Sequence, residues 1–410
     1  MIDSHAATGY GLHTSLQTES FCARRKDGLT MQSWREELQR ALAEREQRRL
    51  LRSLEIAPPG SVDFSSNDYL SLNSDGTIKR LMESLLPLPV TDVGSTGSRL
   101  IRGHRESFDR AERAFASWVG REESLLFHSG YAGNTGTLQA ILSPGDVVFA
   151  DRLCHASLLD GIRLSGATRY YFRHNDLEHL SELLKKYSSR KRRWIVTESV
   201  FSMDGDRPDR DALLALAEQN DCLVYLDEAH SIGVIGETGR GLAWPQQHRF
   251  AVTAYPMGKA PGLMGCFIAG PPELKAFLIN HARSFIYSTA QPAMLADLLR
   301  LIVQEMQTEA MEERRKRLRR LSELLFRRLT EEGFPAGITP SHITPVILGD
   351  EEKTIQTAAR LKQQGFSVFA IRPPTVPAGS CRLRISLHAS NTEDEIERLV
   401  LALRLSRSDE

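Results

Sequence analysis

An α/β fold, with a large, mostly parallel sheet wrapped by helices and a smaller C-terminal α+β lobe, is what the sequence predicts from three observations. Across residues 62–290, short apolar runs at 125–127, 147–150, 168–172, 194–197, 223–227 and 267–269 alternate with segments of helical periodicity. Beyond Pro335 the pattern shrinks: apolar runs at 346–348, 368–371 and 383–387 alternate with helical 352–364 and 392–405. Finally, 410 residues exceed the ~250–300 at which single cores stop growing, so two lobes are expected.

In chain order, residues 1–30 show little periodicity and are expected to form a disordered extension. Residues 31–61 form a helical arm, with a charged amphipathic helix over 31–54 through Trp34, Leu38, Leu42 and Leu50. Residues 62–290 make the large domain and 291–410 the small C-terminal domain. The latter opens with helical 291–330, whose arginine-rich stretch at 312–320 reads as a solvated helix face rather than an RNA patch.

Composition narrows the function. The 52 Lys and Arg equal the 52 Asp and Glu, so no net field draws nucleic acid, an anionic membrane or acidic partners. Five scattered cysteines, with no C-x-x-C pair, argue against zinc and against a disulfide scaffold. The N-terminus has no apolar signal core, and no segment reaches the ~18 consecutive apolar residues of a membrane span. A soluble, cytoplasmic protein is expected, with no metal.

The chemistry is carried by Lys259, in Tyr255-Pro256-Met257-Gly258-Lys259, and by Asp227, in Asp227-Glu228-Ala229-His230. A lysine amine can hold an aldehyde as a Schiff base, and an aspartate can keep a pyridinium nitrogen protonated. That pairing is what a pyridoxal 5'-phosphate enzyme needs. Asp227 ends an apolar run of the kind that forms a buried parallel strand, where a carboxylate faces the ligand crevice; its alternative is a helix N-cap. His128-Ser129-Gly130-Tyr131 follows a predicted strand and opens a helix, whose unpaired N–H groups can receive a phosphate. His155 either stacks on a pyridine ring or caps a helix. His230 either bonds the cofactor's phenolic oxygen or is a buried structural histidine. Ser202 belongs to a polar turn at the same sheet edge. Arg372, Arg382 and Arg384 flank a proline-stiffened loop, and an arginine fork matches a carboxylate.

Together these stretches resemble the α-oxoamine synthases, pyridoxal phosphate enzymes of fold type I, from about residue 31 to the C-terminus. Asn67-Asp68-Tyr69-Leu70, the 151–158 and 201–206 runs, the glycine-rich 227–241 run, Phe285-Ile286-Tyr287-Ser288-Thr289 and the 372–384 run each recur at family-like spacing. The resemblance implies a Schiff base and Cα base at Lys259, and Asp227 on the pyridine nitrogen. It implies cofactor contacts at Gly130, Tyr131, Ser202 and His230, and His155 over the ring. It implies substrate contacts at Arg52, Asn67, His155, Arg372 and Thr375, and Arg384 against the α-carboxylate. Ser288 and Thr289 are similar to residues donated across a dimer interface, which implies a homodimer with shared active sites. Runs 201–206 and 371–379 resemble the branch that joins L-alanine to a pimeloyl thioester, carried by coenzyme A or acyl carrier protein. Sister enzymes use glycine with acetyl- or succinyl-CoA, or serine with palmitoyl-CoA, and a non-catalytic subunit of the same fold is the remaining alternative. One departure stands out: Pro256 replaces the family's hydroxyl residue three positions before the lysine, and supplies neither hydroxyl nor N–H.

Overall fold

The structure is a computed structural model that describes residues 30–48, 50–86, 93–188 and 192–408. The chain divides into two units, Met1–Ile56 and Ala57–Glu410. In the first, helix Met31–Gln47 starts at Thr30, whose hydroxyl accepts the Ser33 N–H at 3.1 Å. It is shorter than the periodicity predicts: Arg45 and Glu46 follow Leu42 on its apolar face, so nothing apolar carries the stripe onward. The expected extension over residues 1–30 lies outside the described residues except for Thr30.

The second unit holds β1 (Val62–Asp63), β2 (Glu123–Phe127), β3 (Val147–Asp151), β4 (Thr168–Phe172), β5 (Arg193–Glu198), β6 (Cys222–Asp227), β7 (Val252–Pro256), β8 (Cys266–Gly270), β9 (Ile343–Gly349), β10 (Phe366–Ser367), β11 (Phe369–Ile371) and β12 (Cys381–Ser386). Seven of them make one sheet in the order β2-β8-β7-β6-β5-β3-β4, in which only β8 runs antiparallel to its neighbours. A second, antiparallel sheet has the order β11-β12-β9, and β1 pairs with β10.

The large sheet reads as continuous apolar runs because both its faces are buried. Val147, Phe149, Ile195, Val224 and Leu226 pack on one side, against Leu180, Leu184, Leu213 and Leu214. Their neighbours Val148, Ala150, Trp194, Val196 and Tyr225 pack on the other, against Leu138, Leu158 and Ile162. The two-residue period of a strand makes this division, and each large apolar side chain so buried contributes about 1.5–3 kcal/mol.

Strand β7 was not anticipated from the sequence. Val252-Thr253-Ala254-Tyr255-Pro256 is short and ends in a proline, which ordinarily demotes a run from a sheet interior. Here Pro256 is the last residue, opposite Cys266, so the missing N–H falls at the strand's end. The chain then turns directly into Lys259.

Candidate active site

The carboxyl ends of β2, β5, β6 and β7 open onto a cavity of about 290 Å³, at the small end of ligand pockets. It brings together Asn67, Gly130, Tyr131, His155, Asp227, His230 and Lys259, from stretches as far apart as residues 67 and 259. A smaller cavity of about 150 Å³, near Phe334 and Leu403, contains Lys353 and Arg407 but no acid.

Asp227 ends β6 on the same face as Tyr225, and both meet Asn134 of helix Gly130–Ile141. Asn134 Nδ2 donates to Asp227 Oδ2 at 2.6 Å, and Tyr225 Oη donates to Asn134 Oδ1 at 2.8 Å. The other carboxylate oxygen accepts the Ala229 N–H at 2.9 Å, so Asp227 anchors a turn rather than a helix N-cap. The buried carboxylate is thus held on both sides and aimed into the cavity.

Lys259 is half-buried. Desolvation lowers its pKa from the ordinary lysine range, aided by the charge of Arg384, while Asp227 and Glu198 pull the other way. Glu198 ends β5 directly beside Asp227 in the sheet register. Burial, then the Asp227 charge, pushes its pKa up to about 8, against the His155 N–H, which it accepts at 2.5 Å, and against Lys259.

His155 is the helix cap of its second sequence reading, and it also stands in the cavity wall. Its Nδ1 accepts the Ser157 N–H at 3.2 Å and so caps helix Ala156–Ser165, while the ring lines the cavity. Desolvation by the surrounding protein and the Lys259 charge lower its pKa, although the residue keeps an open side. His230 is buried, with Nδ1 2.7 Å from Tyr69 Oη. Desolvation and the charges of Lys259 and Arg384 hold its pKa well below the usual value, so the ring is neutral.

At the start of helix Gly130–Ile141, Ser129 accepts the Ala132 N–H on its hydroxyl and the Gly133 N–H on its carbonyl. The Gly130 and Tyr131 N–H groups are then the first-turn donors left to receive an anion. A Cβ at Gly130 would stand 2.9 Å from the Pro256 ring, so only glycine lets the helix start and the end of β7 approach this closely. An anion cradle, a lysine amine and a buried carboxylate within one cavity fit pyridoxal 5'-phosphate. Pro256 itself lines the wall and offers a ring where the family resemblance leads one to expect a hydroxyl.

The remaining predicted residues lie outside this lining. Arg384, buried in β12, donates from Nε to the Ser202 carbonyl at 2.5 Å, from Nη1 to Ser386 Oγ at 2.6 Å and from Nη2 to Asn67 Oδ1 at 3.0 Å. It therefore touches the cavity through Asn67. Arg372 pairs with Glu351 at 3.1 Å, Thr375 is exposed, and Arg52 is exposed in the N-terminal unit. Ser288 is half-buried and Thr289 exposed; the Thr289 carbonyl meets His128 Nε2.

Sequence reasoning gave no role to Asn134, Ser157 or Tyr69. Asn134 stands one helical turn after Gly130, and that spacing was the available signal. Glu198 ends its strand as Asp227 does, and that shared position was its signal.

Residues 59–403 match the family described as aminotransferase class I and II. The chain is 43% identical over 357 residues to an 8-amino-7-oxononanoate synthase of Chromobacterium violaceum, covering 85% of this chain and 90% of that protein. Among solved structures, an 8-amino-7-oxononanoate synthase from Francisella tularensis has a TM-score of 0.73 at 26% identity, covering 86% of this chain and 99% of that one. Serine palmitoyltransferase from S. paucimobilis, with pyridoxal phosphate and myriocin bound, has a TM-score of 0.83 at 24% identity, a likeness of fold, covering 93% and 99%.

Proposed function

The chain belongs to the aminotransferase class I and II family, and from that premise we propose that it condenses L-alanine with a pimeloyl thioester to give 8-amino-7-oxononanoate. Its cofactor is pyridoxal 5'-phosphate. The observation that carries the reading is the shared cavity of Lys259, Asp227 and the open helix start at Gly130.

When bound, the cofactor supplies an aldehyde carbon that accepts an amine and a ring that draws electrons from the amino acid's Cα. Lys259 is the residue that would hold the aldehyde. Its lowered pKa then leaves Nζ unprotonated more of the time, fit to take the Cα proton. Asp227, fixed by Asn134 and the Ala229 N–H, would keep a proton on the pyridine nitrogen. His155 would pack on the ring, and the Gly130 and Tyr131 N–H groups would receive the phosphate. Neutral His230 would bond the phenolic oxygen, and Ser202 would be a further cofactor contact.

Arg384 takes the α-carboxylate. An arriving carboxylate would compete with Asn67 Oδ1 for the Nη2 hydrogens, and the pairing would fix the direction of the Cα–H bond. Arg52, Arg372 and Thr375 serve the acyl substrate, which arrives on coenzyme A or on acyl carrier protein. Ser288 and Thr289 complete the neighbouring site of a homodimer. Among the described residues no helix is long and apolar enough to cross a membrane, and the proposed setting is the cytoplasm.

The test offers L-alanine, glycine and L-serine with pimeloyl-CoA, a pimeloyl carrier protein, acetyl-CoA and palmitoyl-CoA. Turnover of alanine with a pimeloyl donor is expected. Turnover of glycine with acetyl-CoA alone would move the protein to another branch of the family.

A further inference from the structure

The loop after β5 lies between the two sheets and carries the carbonyl that aims Arg384. It is folded on itself, with Phe201 N–H donating to the Asp206 carbonyl at 2.9 Å and Gly205 N–H to the Phe201 carbonyl at 2.8 Å. Ser202 meets Arg384, and Asp204 pairs with Arg382, the other buried arginine of β12. What fixes the loop from behind is His174, which the cavity does not include and the mechanism above does not use.

His174 follows β4 and stands between two acids. Its Nδ1 is 3.0 and 3.1 Å from the two oxygens of Asp151, which is completely buried at the end of β3. Its Nε2 is 2.9 and 3.2 Å from the oxygens of Asp206. The ring edge meets Phe201, with centroids 4.3 Å apart at 86°. Asn175 repeats the bridge, donating N–H to Asp151 at 2.8 Å and Nδ2 to Asp206 at 2.7 Å. An imidazole with a carboxylate at each nitrogen satisfies both only when both nitrogens carry protons. Removing either proton sets a ring lone pair against a carboxylate lone pair.

We propose that doubly protonated His174 is a positioning residue for the amino-acid substrate, acting through Asp206 and Phe201 to hold the Ser202 carbonyl where it orients the Arg384 guanidinium. The inference rests on the reading of Arg384 as the carboxylate partner. The charged groups around the ring are Asp151 from β3, Asp206 and Asp204 from the loop after β5, and, beyond Asp204, Arg382 from β12. Burial works against the cation, but the hydrogen bonds and charges of Asp151 and Asp206 overcome it and push the His174 pKa up to about 9. Orientation of the carboxylate is therefore kept at neutral pH and given up in alkali.

Steady-state kinetics of the cofactor-loaded enzyme, between about pH 6 and 10, tests this with His174→Gln, Asp206→Asn and Arg384→Lys. His174→Gln is expected to raise KM for L-alanine about tenfold while kcat and the thioester KM stay within about twofold. In the unaltered protein the alanine KM rises in alkali with a midpoint near the His174 pKa of about 9. Asp206→Asn removes one of the two charges that hold the proton, and should move that midpoint down by at least about half a pH unit. A midpoint that stays put in Asp206→Asn belongs to Lys259 or to the alanine amine and overturns the inference. So does an unchanged alanine KM in His174→Gln. Arg384→Lys separates the two ways of failing. If it leaves alanine binding unchanged, the Arg384 reading itself falls. If it raises the alanine KM while the other two variants behave as the parent, only the role of His174 falls.

Discussion

At the carboxyl edge of the seven-stranded sheet, Glu198 and Asp227 end their strands and Lys259 follows the end of its own, so each group enters the cavity from a rigid support. In the three-stranded sheet, Arg382 and Arg384 lie inside β12, buried, and reach Asp204 and Ser202 on a loop of the other sheet. In the first region the protonation of Glu198 and of Lys259 is tuned by burial and by neighbouring charge. The second holds groups whose charge is fixed and whose direction is set by hydrogen bonds between elements 180 residues apart in sequence. The proposed function thus puts proton transfer at strand ends and orientation at the joint between the sheets.

The largest effect that sharpens this division is expected from Lys259→Ala. It should remove the visible absorbance of the bound cofactor and cut turnover on the order of a thousandfold, the scale of a lost general base. The fold should survive, because the lysine is only half-buried and the strand before it carries the packing. A variant that unfolded instead would break the comparison.

The joint is probed by Gly205→Ala. Gly205 has φ 69°, and an added Cβ would overlap the Ile343 carbonyl on β9. A loss of more than about 1 kcal/mol of stability is expected in denaturant unfolding, together with a raised KM for alanine. Unchanged stability would mean that the loop and β9 are not pressed together as described.

Within the cavity, Asn134→Ala removes the donor to Asp227 and the acceptor of the buried Tyr225 hydroxyl. It should cost about 1–3 kcal/mol and weaken cofactor retention without abolishing it. Full retention on dialysis would show that Asp227 needs no holder.

The smallest effect is one of pH. The folded His174 pKa, at about 9, lies above the ordinary 6.5. Its contribution to stability is therefore fully present below about pH 6.5 and lost as pH rises through about 9. The gap in melting temperature between the parent and His174→Gln should be widest at about pH 6.5 and below, and close in alkali. A gap that widened with pH would reverse the sign.

The two regions were not equally legible in the sequence. Strand-end chemistry shows locally: Asp227 closes an apolar run, and Gly130 sits between a strand and a helix, so both were placed correctly from residues and spacing. Lys259 was found by its motif rather than by its strand, because Pro256 disguised β7. The joint was not legible. Nothing in His174 or its neighbours signals that two aspartates, 23 and 32 residues away, will converge on its ring. Asn134 was hidden in the same way, since its partners Tyr225 and Asp227 come from a strand more than 90 residues later. Patterns of period and terminus are local, whereas the partners of a buried polar group are chosen by topology.

The most direct test of the central claim is borohydride reduction of the cofactor-loaded protein followed by peptide mapping. The account predicts that the cofactor's mass is fixed on the peptide containing Lys259 and absent from that peptide in Lys259→Ala. Cofactor fixed on a different lysine, or no fixed cofactor in a protein that still turns over its substrates, would contradict it.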